Sequence, residues 1–329
     1  MQSHIALQLV SAVVETITLN RLPHFCSWPI QYALANLITL PEGYILRQSF
    51  SSYLLHIEWY EYLLDADIFI PYTRAEPSIF MFLMFEGHSA LYKPPEYLIS
   101  ESRGGAWHMG YINKGSYKAK IKAGRTRLLL LTLRPEWLMR KAERLEKFKL
   151  ITDQFLAAEQ PVFSLPHCPV NQETIKQVKK MLLHDGINRE HLDITIDSVL
   201  TQLSIQYHGM VVDGKYTTET LHRILAKKIA SFIIAHYAEQ IVENIPGLAD
   251  QFNVSERQLL RLVKIAFDMP LHEYLVTLRM NKALVLLLTA TQSIKEVAAT
   301  VGYTNPHYFS TAFKKFHGIS PNEVHGLCL

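Results

Sequence analysis

Residues 304 to 321 read TNPHYFSTAFKKFHGISP, and at helical spacing one side of this stretch carries His307, Tyr308, Ser310, Thr311, Lys314 and Lys315. An imidazole, a phenol, two hydroxyls and two amines exchange hydrogen bonds and attract anions, and no acid interrupts them. A solvated helix face more usually mixes Glu with Lys. The opposite side places Phe309, Ala312, Phe313 and Phe316 at i, i+3, i+4 and i+7, one apolar stripe. Groupings that could do covalent or metal chemistry are weaker. GHSAL at 87–91 begins like the G-x-S-x-G nucleophile elbow, but Leu91 stands where the second glycine belongs, which disfavours Ser89 as a nucleophile. His88 and His108 lie far apart, and neither belongs to the H-x-H pair that a metal cupin needs. The chain has no P-loop and no G-x-G-x-x-G. Cys26, Cys168 and Cys328 are scattered and lack C-x-x-C spacing, which supports neither a disulfide framework nor a zinc finger. The expectation is a chain with no catalytic centre, cofactor or metal; an enzyme, whether metal cupin or hydrolase, is the disfavoured alternative.

The elements that must position the acid-free face come from the rest of the chain. Its 329 residues suffice for two domains, and 49% hydrophobic with 19% charged residues is the composition of a folded chain. A net charge of +3 announces no global field for nucleic acid, so any such role rests on local placement. The start has no basic residue before Arg21 and makes a poor secretory signal. The apolar runs LLLLTL and ALVLLLTA fall short of the roughly 20 residues that a membrane span needs. With the cysteine usage, this predicts a cytoplasmic protein.

The fold class expected is α+β in two domains. Residues 1–137 hold Trp28, Trp59, Trp107 and Trp137 and short aromatic and β-branched runs punctuated by Gly and Pro, which predicts a β-rich roll. Residues 138–216 read as a helical connector, with helices at about 171–184 and 190–208. In the second, Leu192, Ile196, Val199, Leu200, Leu203 and Tyr207 form a stripe that packs on its own β domain or pairs with a second copy. HGMVVDGKYTTE, 208–219, reads as a linker. In the last domain, 217–329, nearly everything from 219 to 318 reads as helical, with helices at about 219–240 and 271–289.

Within that last segment a unit repeats. PGLADQFNVSERQLLRLVKIAFDMP (246–270) and SIKEVAATVGYTNPHYFSTAFKKFHGISP (293–321) each read as a short helix, a tight turn and a longer helix. SERQ at 255–258 and SIKE at 293–296 match the capping box. Asn305 suits a helix cap, Pro306 the first helical position and Gly318 a left-handed helix end. Ala249 and Ala298 are small where helices must cross closely, and Gly302 suits the turn. Each unit is a helix-turn-helix, whose second helix enters the major groove.

SIKEVAATVGYTNPHYFSTAFKKFHGISP resembles the signature of the AraC/XylS family of bacterial transcription regulators, and LRMNKALVLLLTATQ resembles that family's linker helix. Asp268 departs from the family's usual glycine, but Asp tolerates the left-handed state better than most residues. The resemblance implies a cytoplasmic regulator with a cupin-like N-terminal roll and a C-terminal double helix-turn-helix domain that reads successive major grooves. Carried over by position, the outward recognition residues are Arg257, Leu260 and Arg261 in the first unit and Pro306, His307, Tyr308, Ser310 and Thr311 in the second. Lys264, Lys314 and Lys315 are assigned to phosphates. Arg257 and Arg261 can fork onto guanine, whereas Leu260, Pro306 and Thr311 cannot, so the first unit is expected to be the sharper reader. Repair methyltransferases with a similar segment use a cysteine cluster that this chain lacks.

The implied partners are double-stranded DNA, a second copy of the chain, a small-molecule effector and, for an activator, RNA polymerase. FLMFEGHSALY and GSYKAKIKAGRTRLLLLTLRPEWL loosely resemble regulators of siderophore uptake, which suggests a siderophore as effector. Trp59, Phe85, Trp107 and Tyr111 are the candidates to line its pocket, against the alternative that they are β core. The alternative function is a constitutive DNA-binding protein whose β domain only dimerises.

Overall fold

The computed structural model describes residues 5–7, 12–94, 97–289 and 292–326, so Cys328 lies outside the described residues. The chain divides into two compact units, Met1–Thr217 and Thr218–Leu329. Among the described residues no helix is long and apolar enough to cross a membrane.

In the first unit the early strands are β1 (Ile5–Leu7), β2 (Val13–Ile17), β3 (Leu34–Leu40), β4 (Gly43–Ser51), β5 (Leu55–Leu64), β6 (Ile68–Arg74) and β7 (Ser78–Glu86). They are followed by β8 (His88–Lys93), β9 (Tyr97–Arg103), β10 (Ala106–Ile112), β11 (Gly115–Ile121), β12 (Gly124–Leu133), β13 (Val162–Ser164) and β14 (Cys168–Pro169). A 5-stranded sheet runs β1-β6-β11-β8-β9, and a 9-stranded sheet runs β13-β10-β7-β12-β5-β4-β3-β2 with β14 pairing β10. The pairings are antiparallel. Four helices follow or flank the strands: α1 (Pro135–Ala142), α2 (Glu146–Ala157), α3 (Gln172–Leu182) and α4 (Arg189–Val212).

The central strands of the large sheet are buried on both faces, and period-two alternation sorts their side chains. On β5, Ile57 and Trp59 point to one core while Tyr60 and Tyr62 point to another; on β10, Trp107, Met109 and Tyr111 oppose His108 and Ile112. The first face packs against the helices, with Leu192, Ile196, Val199, Leu200, Leu203 and Tyr207 of α4 all fully buried there. The α4 stripe is therefore used within its own unit and is not free to pair with a second copy. The second face looks toward the small sheet and encloses a cavity of about 150 Å³.

That sorting corrects the expected effector pocket. Trp59, Trp107 and Tyr111 are fully buried on the helix-facing side of the large sheet, Phe85 packs with them, and none of the four lines the cavity. Trp59 stacks on Trp28 at 4.7 Å and donates its indole N–H to Glu61 Oε1 at 2.9 Å, and Trp107 donates to the Pro169 carbonyl at 3.2 Å. Their polar handles are satisfied inside the core. The cavity belongs to residues of the other parity on the same strands.

One helix boundary also differs from the sequence expectation. After 135 the chain forms α1 and α2, parted at residues 143–145, and α4 runs through Gly209 to Val212, five residues into the expected linker. Burial of Met210 and Val211 outweighs the helix cost of Gly209, about 1 kcal/mol. The chain then turns at Gly214, with φ 68°, and Thr217 N–H donates to the His167 carbonyl at 2.8 Å. His88 contacts Glu101 across β8 and β9, while His108 is buried on β10 and stacks on His167 with ring centroids 4.0 Å apart. The two histidines thus serve different sheets.

Candidate DNA-binding surface

The second unit is built from α5 (Thr218–Ala235), α6 (Ile245–Gln251), α7 (Glu256–Phe267), α8 (Leu271–Leu288), α9 (Ile294–Thr300), α10 (Pro306–His317) and α11 (Pro321–Gly326). It has two cores. Leu248, Ala249, Leu259, Leu262 and Val263 close the first, and Val297, Ala298, Val301, Phe309 and Phe313 close the second. Helix α8 serves both: Leu271 and Leu275 enter the first core, and Met280, Ala283 and Leu287 enter the second. Arg279, 7% exposed, fastens the junction by donating from Nε to the Tyr237 carbonyl at 2.8 Å and pairing with Glu243 through Nη1, while its guanidinium lies 6.0 Å from the Tyr303 ring centroid. The sequence reading missed this residue; its signal is an arginine on the buried side of an otherwise apolar helix.

Each recognition helix has local reasons to start and stop where it does. Ser255 caps α7 by accepting from the Gln258 N–H at 3.2 Å, and Asn305 caps α10 by accepting from the His307 N–H at 2.8 Å. A full capping box forms at α9, where Ser293 and Glu296 bond reciprocally at 2.7 and 3.3 Å, and the same reciprocal pair joins Ser320 and Glu323 at the start of α11 at 2.6 and 3.3 Å. The N–H and hydroxyl of Ser293 hold the Glu296 carboxyl below its usual range. At SERQ no reciprocal bond from Gln258 accompanies the Ser255 cap, because a neutral amide competes less well than a carboxylate for the cap N–H. Asp268 ends α7 in the left-handed state at φ 56°, as Gly318 ends α10 at φ 81°. Gly302, at φ 87°, has a second reason to be glycine: a Cβ there would run into the Ala238 carbonyl.

On α7 the side chains of Arg257, Leu260, Arg261 and Lys264 are exposed along one face, opposite the buried Leu259, Leu262 and Val263. Glu256 is exposed beside them in the first turn, where an acid complements the helix dipole. Arg261 is not free: its Nη2 lies 3.1 Å from Nε2 of His222 on α5. On α10, His307, Tyr308, Thr311, Lys314 and Lys315 are exposed, with Tyr308 at 69%, while Pro306 and Ser310 are half-buried. Phe316 is 40% exposed, so the apolar stripe of α10 ends one turn earlier than expected. The hydroxyls of Ser310 and Thr311 donate to the carbonyls of Pro306 and His307 at 2.9 and 3.1 Å. Such back-bonding spends their protons on the helix and leaves only their lone pairs outward.

The family model of the helix-turn-helix domain matches residues 248–325. The HTH-type transcriptional activator RhaS of Salmonella agona is 28% identical over 183 residues, which take in 52% of this chain and 62% of that protein. The chain thus matches less than two thirds of the length of the curated relatives. Among solved structures, the C-terminal domain of AraT, a response regulator from Geobacillus stearothermophilus, is 35% identical over 31% of this chain and 84% of its own, with a TM-score of 0.29. ToxT from Vibrio cholerae is 13% identical over 79% of this chain and 98% of its own, with a TM-score of 0.28. The paired helix-turn-helix units, the long helix shared between their cores and the sequence match across both of them agree: the second compact unit of the chain is an AraC-type helix-turn-helix domain.

Proposed function

We propose that this protein is a sequence-specific DNA-binding transcription regulator in which α7 and α10 enter successive major grooves on one face of a duplex, and the first unit binds a small-molecule effector. The observation that carries the reading is the pair of exposed polar faces on α7 and α10, each backed by its own sealed core and both fixed to α8. Arg257 and Arg261 fork onto guanine O6 and N7, Glu256 can accept from a cytosine amino group, and Leu260 meets thymine methyls or the backbone. Lys264, Lys314 and Lys315 meet phosphates and set the register. His307 and Tyr308 read from α10, while Pro306, Ser310 and Thr311 give grip and shape. The RhaS relatives are named transcriptional activators, which favours activation through RNA polymerase, with a second copy of the chain on the adjoining half-site. Selection of bound fragments from genomic DNA by the full chain tests this: enrichment of one motif with two clusters of specified base pairs a helical turn apart supports it, and unenriched recovery refutes it.

A further inference from the structure

The cavity between the two sheets, about 150 Å³, is of the size that holds a benzene-sized apolar group. Its walls include Tyr60, Tyr62, Phe80, Phe82 and Leu130, with the hydroxyl of buried Ser102 among them. One full charge stands in this lining. Arg74, the last residue of β6, is 4% exposed and lines the cavity, and its Nε and Nη1 have no hydrogen-bond partner. A buried guanidinium with unmade hydrogen bonds is costly, and arginine does not escape the cost by losing its proton.

The groups that face Arg74 do not pair with it. Tyr60, Tyr72 and Tyr117 are buried phenols whose pKa values lie above the usual range, chiefly through burial, so they stay neutral. Glu58 contributes to the field at Arg74, but its Oε1 is engaged by Arg47 at 2.6 Å and by the Tyr60 hydroxyl at 3.0 Å. His108, 5% exposed and also in the lining, is kept neutral by burial and by the stacked His167, and its Nδ1 has no partner. An apolar chamber with one unanswered cation and one uncharged imidazole selects for a ligand with one negative group on an apolar body.

We infer that this cavity binds a small apolar monocarboxylic acid, its carboxylate on the unpaired N–H groups of Arg74 and its ring or chain among the tyrosines and phenylalanines. A dianion would bring a second charge that nothing in the lining answers, and a neutral ligand would leave the guanidinium unpaired. The inference rests on the effector-binding part of the proposed function, and gives that effector its chemical class.

The test is titration of the full chain with phenylacetate, cyclohexanecarboxylate, hexanoate and octanoate, each against its primary amide, followed by calorimetry and thermal unfolding. At least one acid is expected to bind and raise the unfolding temperature, with its amide about tenfold weaker or more, since a charge-assisted contact is roughly twice as strong as a neutral one. Arg74→Met should bind acid and amide alike. Should that variant fail to fold, the Arg74 Nε–H resonance of the unaltered protein, shifted by the acid and not by the amide, gives the same answer. No binding by any of the acids at millimolar concentration, equal binding of acid and amide, or an unmoved Arg74 resonance would overturn the inference. Binding of amides alone would preserve an effector site and reject its anionic class, and DNA selection proceeds independently of all these outcomes.

Discussion

Arg261 Nη2 on α7 lies 3.1 Å from Nε2 of His222 on α5, so a main candidate for base reading is held by a neighbour outside its own helix-turn-helix unit. A guanidinium N–H donates only to an unprotonated ring nitrogen, and the contact fixes the side chain before DNA arrives. Arg261→Ala should weaken binding of the cognate duplex by about 5- to 150-fold, equivalent to roughly 1 to 3 kcal/mol, and relax preference at one base pair. His222→Ala should cost about 2- to 5-fold by freeing one side chain, with the base preference unchanged. Titrations across single-base-pair variants of the selected site distinguish the two; an unchanged preference in Arg261→Ala would remove that residue from the reading set.

Lys264, Lys314 and Lys315 are exposed toward the C-terminal halves of their helices, and the proposed function assigns them to phosphates rather than base edges. Each Lys→Ala change should weaken binding to all sequences alike and lower the slope of log affinity against log salt by about 1. Affinity measured at several salt concentrations checks this, and a sequence-dependent loss would move the lysine into the reading set.

The two glycines of the second helix-turn-helix separate conformational from steric cost. Gly302 and Gly318 both have positive φ, but a Cβ at 302 meets the Ala238 carbonyl whereas one at 318 meets nothing within 4 Å. Gly318→Ala should destabilise the second unit by about 1 kcal/mol, and Gly302→Ala by distinctly more, about 2 to 4 kcal/mol. Chemical denaturation followed by a probe in the second unit gives the comparison; equal losses would show that backbone relaxes around position 302.

The α9 cap should respond to acid. Because the folded-state pKa of Glu296 is depressed by the Ser293 N–H and hydroxyl, the cap contributes stability above the ordinary glutamate pKa and loses it as pH falls through the depressed value. Glu296→Gln should remove that component of the pH dependence below about pH 4.3 and leave the rest intact. A pH titration of the Glu296 carboxyl carbon by NMR reads the shift directly, and an ordinary midpoint would contradict the cap geometry.

The second unit was legible because its determinants are local. Asn305, Pro306, Gly318, Ser293 and the Phe309–Phe313 spacing specify helix starts, stops and faces over a few residues, and each takes its expected place. The cavity was not, because the central strands of the large sheet are buried on both faces: β5 and β10 are buried along nearly their whole lengths, so polarity does not tell which parity faces the helices. Trp59, Trp107 and Tyr111 were chosen on residue type and fall on the other side. A usable signal lay in β6, where Ile68, Ile70, Tyr72 and Arg74 alternate as the buried set and place an arginine on the inward parity. The His222–Arg261 contact spans 39 positions between helices with no shared motif, so only the packing reveals it.

The most direct measurement is the affinity of the full chain for its selected duplex and for a random duplex of equal length at about 150 mM salt, where non-specific phosphate attraction is largely screened. At least a thousandfold preference for the selected duplex, lost stepwise in Arg257→Ala and Arg261→Ala, is the expected result. Equal affinity for both duplexes would contradict site-specific reading by α7 and α10.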